Sequence, residues 1–69
     1  MAVAKVIEVL SNSEKSWDDA IKKALERTRK TVRKIKSFHV LDFKGKIDEN
    51  GNIKEYKVRL KIVFEVENK

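Results

Sequence analysis

The chain contains no cysteine, which removes disulfides, thiol nucleophiles and thiolate metal sites together. It has one histidine, and a single imidazole falls well short of the N and S ligands a structural zinc site needs. Proline is absent and glycine occurs twice, a composition that, with abundant Lys, Arg and Glu, suits a thermophile. No apolar run approaches the ~20 residues of a membrane span. The short apolar stretch after Met1 has neither a basic lead-in nor a cleavage-like end, so no signal peptide is expected. Also missing are a nucleophile–base pair, a paired acid/base set and a glycine loop that could cradle phosphate, which argues against an enzyme.

What remains is a short, charge-rich chain: 69 residues, 41% of them charged, with a formal net charge of +6. These values point to one domain over residues 1–69 of a soluble, cytoplasmic protein. A chain of this length without disulfides or metal buries too little apolar surface to offset its conformational entropy comfortably, and normally needs a partner surface. An oligomer is expected on those grounds alone.

The strongest local signal lies in residues 56–66, where every even position is apolar and every odd one but Val63 is charged. This is the period of a half-buried strand, and at ~3.3 Å per residue it reaches about 36 Å. So long a strand is expected at the centre of the sheet, paired on both sides. Ahead of it, Asp48-Glu49-Asn50-Gly51-Asn52 marks a turn in which Asn50-Gly51 supplies positive φ angles. Residues 37–67 therefore read as a long β-hairpin.

Upstream, residues 3–10 read as a strand with apolar side chains on both faces, stopping at Ser11-Asn12-Ser13. A helix then opens, with Ser16 as its cap, Asp19 at the acidic position of a capping box, and Asp18 and Asp19 at the positive end of the dipole. Trp17, Ala20, Ile21, Ala24, Leu25, Thr28, Val32 and Ile35 follow at spacings of three and four, placing one apolar face over about 30 Å of helix. The opposite face offers Asp18–Lys22, Asp19–Lys23 and Glu26–Lys30 as i,i+4 pairs.

The order strand, helix, strand, strand predicts an α+β fold, a β-α-β-β subunit whose three-stranded antiparallel sheet, in order 1-3-2, wraps one helix. A single helix covers one sheet face, so the other must meet solvent or another subunit. The second strand changes phase near Val40: Phe38 and Val40 are apolar on one parity, Leu41, Phe43 and Ile47 on the other. A bulge that re-aims side chains, or burial on both faces, would each produce this pattern. Gly45 in the same strand permits a bend or a close backbone approach.

A family resemblance runs through nearly the whole chain. It is carried by Lys5-Val6-Ile7-Glu8-Val9, by Ser16-Trp17-Asp18-Asp19-Ala20-Ile21 with Ala24-Leu25-Glu26-Arg27-Thr28 and Thr31-Val32, by Gly45-Lys46-Ile47, and by the strand from Tyr56-Lys57-Val58 to Val63-Phe64-Glu65-Val66. These segments resemble the dodecins. The resemblance implies twelve βαββ subunits closing a hollow sphere, with flavin bound in pairs at two-fold contacts inside the shell. It also implies where this chain departs. Ser37 stands where flavin-binding members carry a tryptophan that stacks on the isoalloxazine, Lys57 stands where they carry a glutamine that hydrogen-bonds the ring, and an acid near the pocket is kept as Asp42.

The expected ligand site therefore comprises Ser37, His39, Asp42 and Lys57, in a non-catalytic binding or storage shell whose affinity for riboflavin or FMN is weakened. His39 shares the strand parity of Ser37 and is the substitute ring to consider, whereas Phe38 falls on the opposite parity, toward the core. A tryptophan-lacking subgroup is associated with calcium, for which Asp42, Asp48 and Glu49 are the oxygen donors to test. The alternative readings are a flavin-binding dodecin with a substitute aromatic, and a basic nucleic-acid binder. The latter would use Lys22, Lys23, Arg27, Arg29, Lys30, Arg33, Lys34 and Lys36. Interleaved acids and the preference for bases at a helix C-terminus account for much of that run without nucleic acid.

Overall fold

The computed structural model describes residues 3–66; position 67, the last of the expected hairpin, lies outside them. The elements are β1 (Val3–Ser13), α1 (Trp17–Arg29), β2 (Ile35–Ile47) and β3 (Ile53–Val66). They form one three-stranded sheet in the order β1-β3-β2, with β3 antiparallel to both neighbours. The expected topology is thus observed, with the most regularly alternating segment at its centre. Among the described residues, no helix is long and apolar enough to cross a membrane.

Helix α1 starts as its sequence dictates. Ser16 is extended, and its Oγ accepts a hydrogen bond from the Asp19 backbone N–H at 2.9 Å. The Asp18–Lys22 and Asp19–Lys23 pairs form at 3.3 and 3.5 Å. The helix then ends at Arg29 instead of running to Ile35. Its last turn tightens, with Lys30 N–H bonding to Arg27 O and Thr31 N–H to Thr28 O. The chain reverses through Lys34, whose φ of 57° is left-handed. Continuing the helix would align Arg29 with Arg33 and Lys30 with Lys34 at the repulsive i,i+4 spacing, and would retain β-branched Thr31 and Val32 at a χ1 cost. Ile35 instead opens β2 opposite Phe64 and packs on the core. Lys30 is past the last helical residue, and among the described residues no ion pair joins it to Glu26.

Strand β1 also differs from its expected extent. Ser11, Asn12 and Ser13 do not end it but pair with Val58, Lys57 and Tyr56. Their polarity is accommodated by the helix beneath: Ser11 Oγ donates to Ala20 O at 2.8 Å, and Ser13 Oγ donates to the Asp19 carboxylate. The β2–β3 connection is a wider loop than a two-residue turn. Gly51, with φ of 87°, takes the left-handed conformation alone, and Asp48 Oδ1 accepts from the N–H groups of Asn50 and Asn52.

The core comprises Ala20 and Ala24 from α1 and Val58, Leu60 and Ile62 from β3, flanked by Ile7, Val9, Trp17, Ile21, Leu25 and Ile35. Two alanines at the contact let the helix lie close to the even-numbered side chains of β3. The helix packs over β1 and β3, leaving the helix-side residues of β2 open. Phe38, on the expected face opposite Ile62, is consequently 45% exposed instead of buried, and Phe43 is 56% exposed.

The phase shift near Val40 is a bulge. Val40 pairs with Leu60 and Asp42 with Arg59, so Leu41 is the extra residue. Ser37 and His39 before it, and Asp42 and Lys44 after it, all come to the sheet face turned away from the helix.

Candidate functional site

On that far face, the two ends of the sheet are chemically different. At one end, the odd-numbered residues of β3 and the residues of β1 and β2 opposite them line a cavity of about 370 Å³ that includes Leu10, Asn12, Asp42, Lys44, Lys57 and Arg59. The Arg59 guanidinium spans the three strands: Nε and Nη2 meet Asp42 Oδ2 on β2 at 3.2 and 3.1 Å, and Nη1 meets Glu8 Oε2 on β1 at 3.1 Å. Its pKa is raised above the ordinary arginine value, first by the Asp42 hydrogen bond and charge and then by Glu8. Asn12 Nδ2 donates to Glu55 Oε2. Lys44 and Lys57 face each other directly across β2 and β3.

At the other end, Ser37 lies opposite Val63 and His39 opposite Lys61, both exposed. Along β3, position 63 is some 20 Å from position 57 at ~3.3 Å per residue. One chain therefore brings Asp42 and Lys57 together and holds Ser37 apart from Lys57, while His39, opposite Lys61, is only about 7 Å along β3 from Asp42, opposite Arg59. The bulge explains why Asp42 joins Lys57: were Leu41 accommodated in unbroken alternation, Asp42 and Lys44 would point to the helix side.

Lys44, Arg59, Glu8, Asn12 and Leu10 were not among the residues the sequence singled out. A usable signal existed for two of them, Arg59 and Glu8, because with Asp42 they form an Asp-Arg-Glu set spread over three strands that invites a cross-strand ion network once register is known.

All five aromatic rings lie on the helix side of the sheet. Phe38 and Phe43 oppose Ile62 and Val58, and Phe64 opposes Ile35. Trp17 packs edge-on against Tyr56 and Phe43, with centroids at 4.8 and 6.0 Å, and its Nε1–H donates to Lys44 O at 2.9 Å. The Trp17 ring also runs beside Gly45, where an added Cβ would sit 3.8 Å from Cζ2. Trp17 is therefore on the wrong face to replace a ring at position 37, and His39 is the sole ring on the far face. The residues fit a stacked flavin poorly.

The proposed calcium donors are scattered. Asp42 is held by Arg59 on the far face, Asp48 caps its own loop, and Glu49 is exposed at the hairpin tip. Among the described residues, no group of three or more His, Cys, Asp or Glu side chains could hold a metal ion.

Fold and site together define a small α+β module of the βαββ type, with its polar cavity on the sheet face away from its helix. The family model described as Dodecin matches residues 3–67. The dodecin of Thermus thermophilus is 42% identical over 65 residues, covering 94% of this chain and 93% of that protein. The calcium dodecin of Mycobacterium tuberculosis is 32% identical over 66 residues, covering 96% and 92%. A crystal structure of a Thermus thermophilus protein superposes with a TM-score of 0.92 at 39% identity, covering 100% of both chains. The chain belongs to the dodecin family.

Proposed function

We propose that this chain is the subunit of a hollow homododecamer in the cytoplasm, a non-catalytic shell that holds a small ligand on the far face of its sheet and has weak affinity for flavin. The observation that carries the flavin part is the placement of every Phe, Tyr and Trp ring on the helix side, with Ser37 exposed where a stacking ring is required. Stacking contributes ~0.5–1.5 kcal/mol per aromatic pair beyond burial, so a flavin held between two copies would lose several such contributions.

Assembly is supported by apolar side chains left open on both faces, among them Leu10 at 76% and Ile47 at 61% exposure. A ligand touching both Ser37 and Lys57 would draw them from two subunits, because one chain keeps them about 20 Å apart. The name of the Mycobacterium tuberculosis relative raises calcium as an alternative ligand, but Asp42, Asp48 and Glu49 do not converge within this chain. Nucleic acid is not favoured as a partner, since the helix bases are interleaved with acids that already pair some of them.

Light scattering, together with a riboflavin fluorescence titration, tests this reading. The expected result is a folded particle with the mass of about twelve 8.1 kDa chains, colourless as purified and quenching riboflavin poorly. A stable folded monomer would overturn the assembly, and sub-micromolar riboflavin binding would overturn the weak-flavin reading in favour of a substitute ring at His39.

A further inference from the structure

Asn50-Gly51 is the sole Asn-Gly pair in the chain, and it forms the tip of the β2–β3 loop with both residues exposed. Asparagine is thermolabile, because the backbone nitrogen that follows it is able to attack its side-chain carbonyl. A side chain on the following residue obstructs that approach, and glycine has none. At Gly51 even an added Cβ would meet no atom within 4 Å, so the attacking nitrogen lies in open space. Among the described residues, no hydrogen bond holds the Asn50 side-chain amide. The other described asparagines are less favourably placed. Asn12 lies within β1, its Nδ2 donates to Glu55, and it precedes Ser13, which is buried. Asn52 precedes the β-branched Ile53.

The loop also restrains the reaction, and one residue supplies the restraint. Gly51 N–H donates to Asp48 O at 3.1 Å, and the N–H groups of Asn50 and Asn52 donate to Asp48 Oδ1 at 2.9 and 3.0 Å. Asp48 N–H in turn donates to Asn52 O at 2.9 Å. Attack requires the Gly51 nitrogen to turn from Asp48 O toward Asn50 Cγ, so the reactive state is the locally opened loop.

We propose that Asn50 is a self-modification site whose rate is set by the hydrogen bonds of Asp48. Gly51 N bonds to Asn50 Cγ, the Cγ–Nδ2 bond breaks, and Nδ2 leaves as ammonia with the proton from Gly51 N–H. The succinimide so formed takes up one water. Opening at Cγ gives an ordinary aspartate at position 50, and opening at the main-chain carbonyl gives an isoaspartate whose backbone runs through Cγ. Water is the sole co-reactant, and no redox change occurs. Either product places a negative charge beside Asp48 and Glu49. The isoaspartate also lengthens the backbone by a methylene, which moves Gly51 and Asn52 off Asp48. The rung below is Ile47 opposite Ile53, so the end of the hairpin frays as the modification accumulates.

The test is a time course of the purified protein held warm at neutral pH, read by peptide mapping with mass spectrometry that distinguishes aspartate from isoaspartate. The full chain unfolded in urea, Asp48→Ala, Asp48→Asn and Gly51→Ala are followed in parallel. Acid should replace amide at position 50 while positions 12 and 52 stay as asparagine. Several hydrogen bonds must open, so the folded protein should convert at least about tenfold more slowly than the urea-unfolded chain. Asp48→Ala should convert at least about threefold faster than the unmodified folded protein. Asp48→Asn, whose amide oxygen still accepts from both N–H groups, should stay close to the unmodified rate. Gly51→Ala should slow conversion in the folded and the unfolded chain alike. Amide exchange at Asp48 and Ile53 should be faster in the converted fraction than in fresh protein. Conversion at position 12 or 52 as fast as at 50, or none at 50 while the unfolded chain converts fully, would overturn the site. Equal rates in folded and unfolded chain, or in Asp48→Ala and Asp48→Asn, would overturn the control by Asp48. The urea comparison needs no variant, so the test stands whatever Asp48→Ala does to folding.

Discussion

Asp42 lies directly opposite Arg59 across β2 and β3, and the guanidinium reaches past it to Glu8 on β1, so one side chain ties all three strands on the far face. The groups are part-exposed, so salt screens them and the effect on stability is small. Asp42→Asn and Arg59→Gln should each lower the urea midpoint slightly, and the double variant should lose less than the two losses added. Full additivity would mean that the pair does not interact in solution. The raised pKa keeps Arg59 charged at every working pH, so no arginine titration is expected in the profile.

Asp19 supplies an acid-side dependence. The Ser13 hydroxyl holds its carboxyl below the ordinary carboxylate value, with Lys23 and Lys15 adding to the effect against partial desolvation. Because the folded pKa is the lower one, this stabilisation is complete above the unfolded value of ~3.9 and is lost as pH falls through the folded value. Ser13→Ala should therefore unfold more readily than the unmodified protein at neutral pH, with the gap narrowing as pH drops below about 4. A gap independent of pH would show that Ser13 acts through packing alone.

Gly51 isolates a backbone effect. Its φ is 87°, and an added Cβ would meet no atom within 4 Å, so Gly51→Ala introduces strain without a clash. Chemical denaturation should show a loss of about 1 kcal/mol or slightly more. An unchanged midpoint would mean that the loop relaxes to another conformation.

Introducing a tryptophan at position 37 tests the proposal that flavin binding is weak because no ring stands there. Ser37→Trp combined with Lys57→Gln should recover riboflavin quenching in the assembled protein. Moving the ring to the helix side, by Val40→Trp, should not, because Val40 opposes buried Leu60. Failure of the first variant to quench, with its assembly intact, would place the ligand elsewhere on the sheet.

Much of the fold was legible because its signals are local. The even-position apolar residues of β3, the Ser16 cap with its two aspartates, and the phase change at Val40 each depend on side chains a few residues apart. The errors fall where distant partners decide the outcome. Thr31 to Ile35 keep a helical spacing of apolar residues, yet Ile35 gains more by pairing with Phe64 than by extending a helix of repelling bases. Ser11 and Ser13 read as the end of a strand because their hydrogen-bond partners, Ala20 and Asp19, lie on another element.

The candidate site divides in the same way. The sequence by itself determined that position 37 carries no ring and that position 57 is cationic, because these follow from residue identity, and it raised the expectation of a partner surface from chain length. The tertiary structure alone decided that Lys44 faces Lys57, that Asp42 joins Arg59, and that Ser37 and Lys57 stand at opposite ends of one face. Side chains alternate along a strand with period two, so the single extra residue at Leu41 reverses the face of every later position in β2. Which of those positions then meets which residue of β3 is set by pairing between segments far apart in sequence.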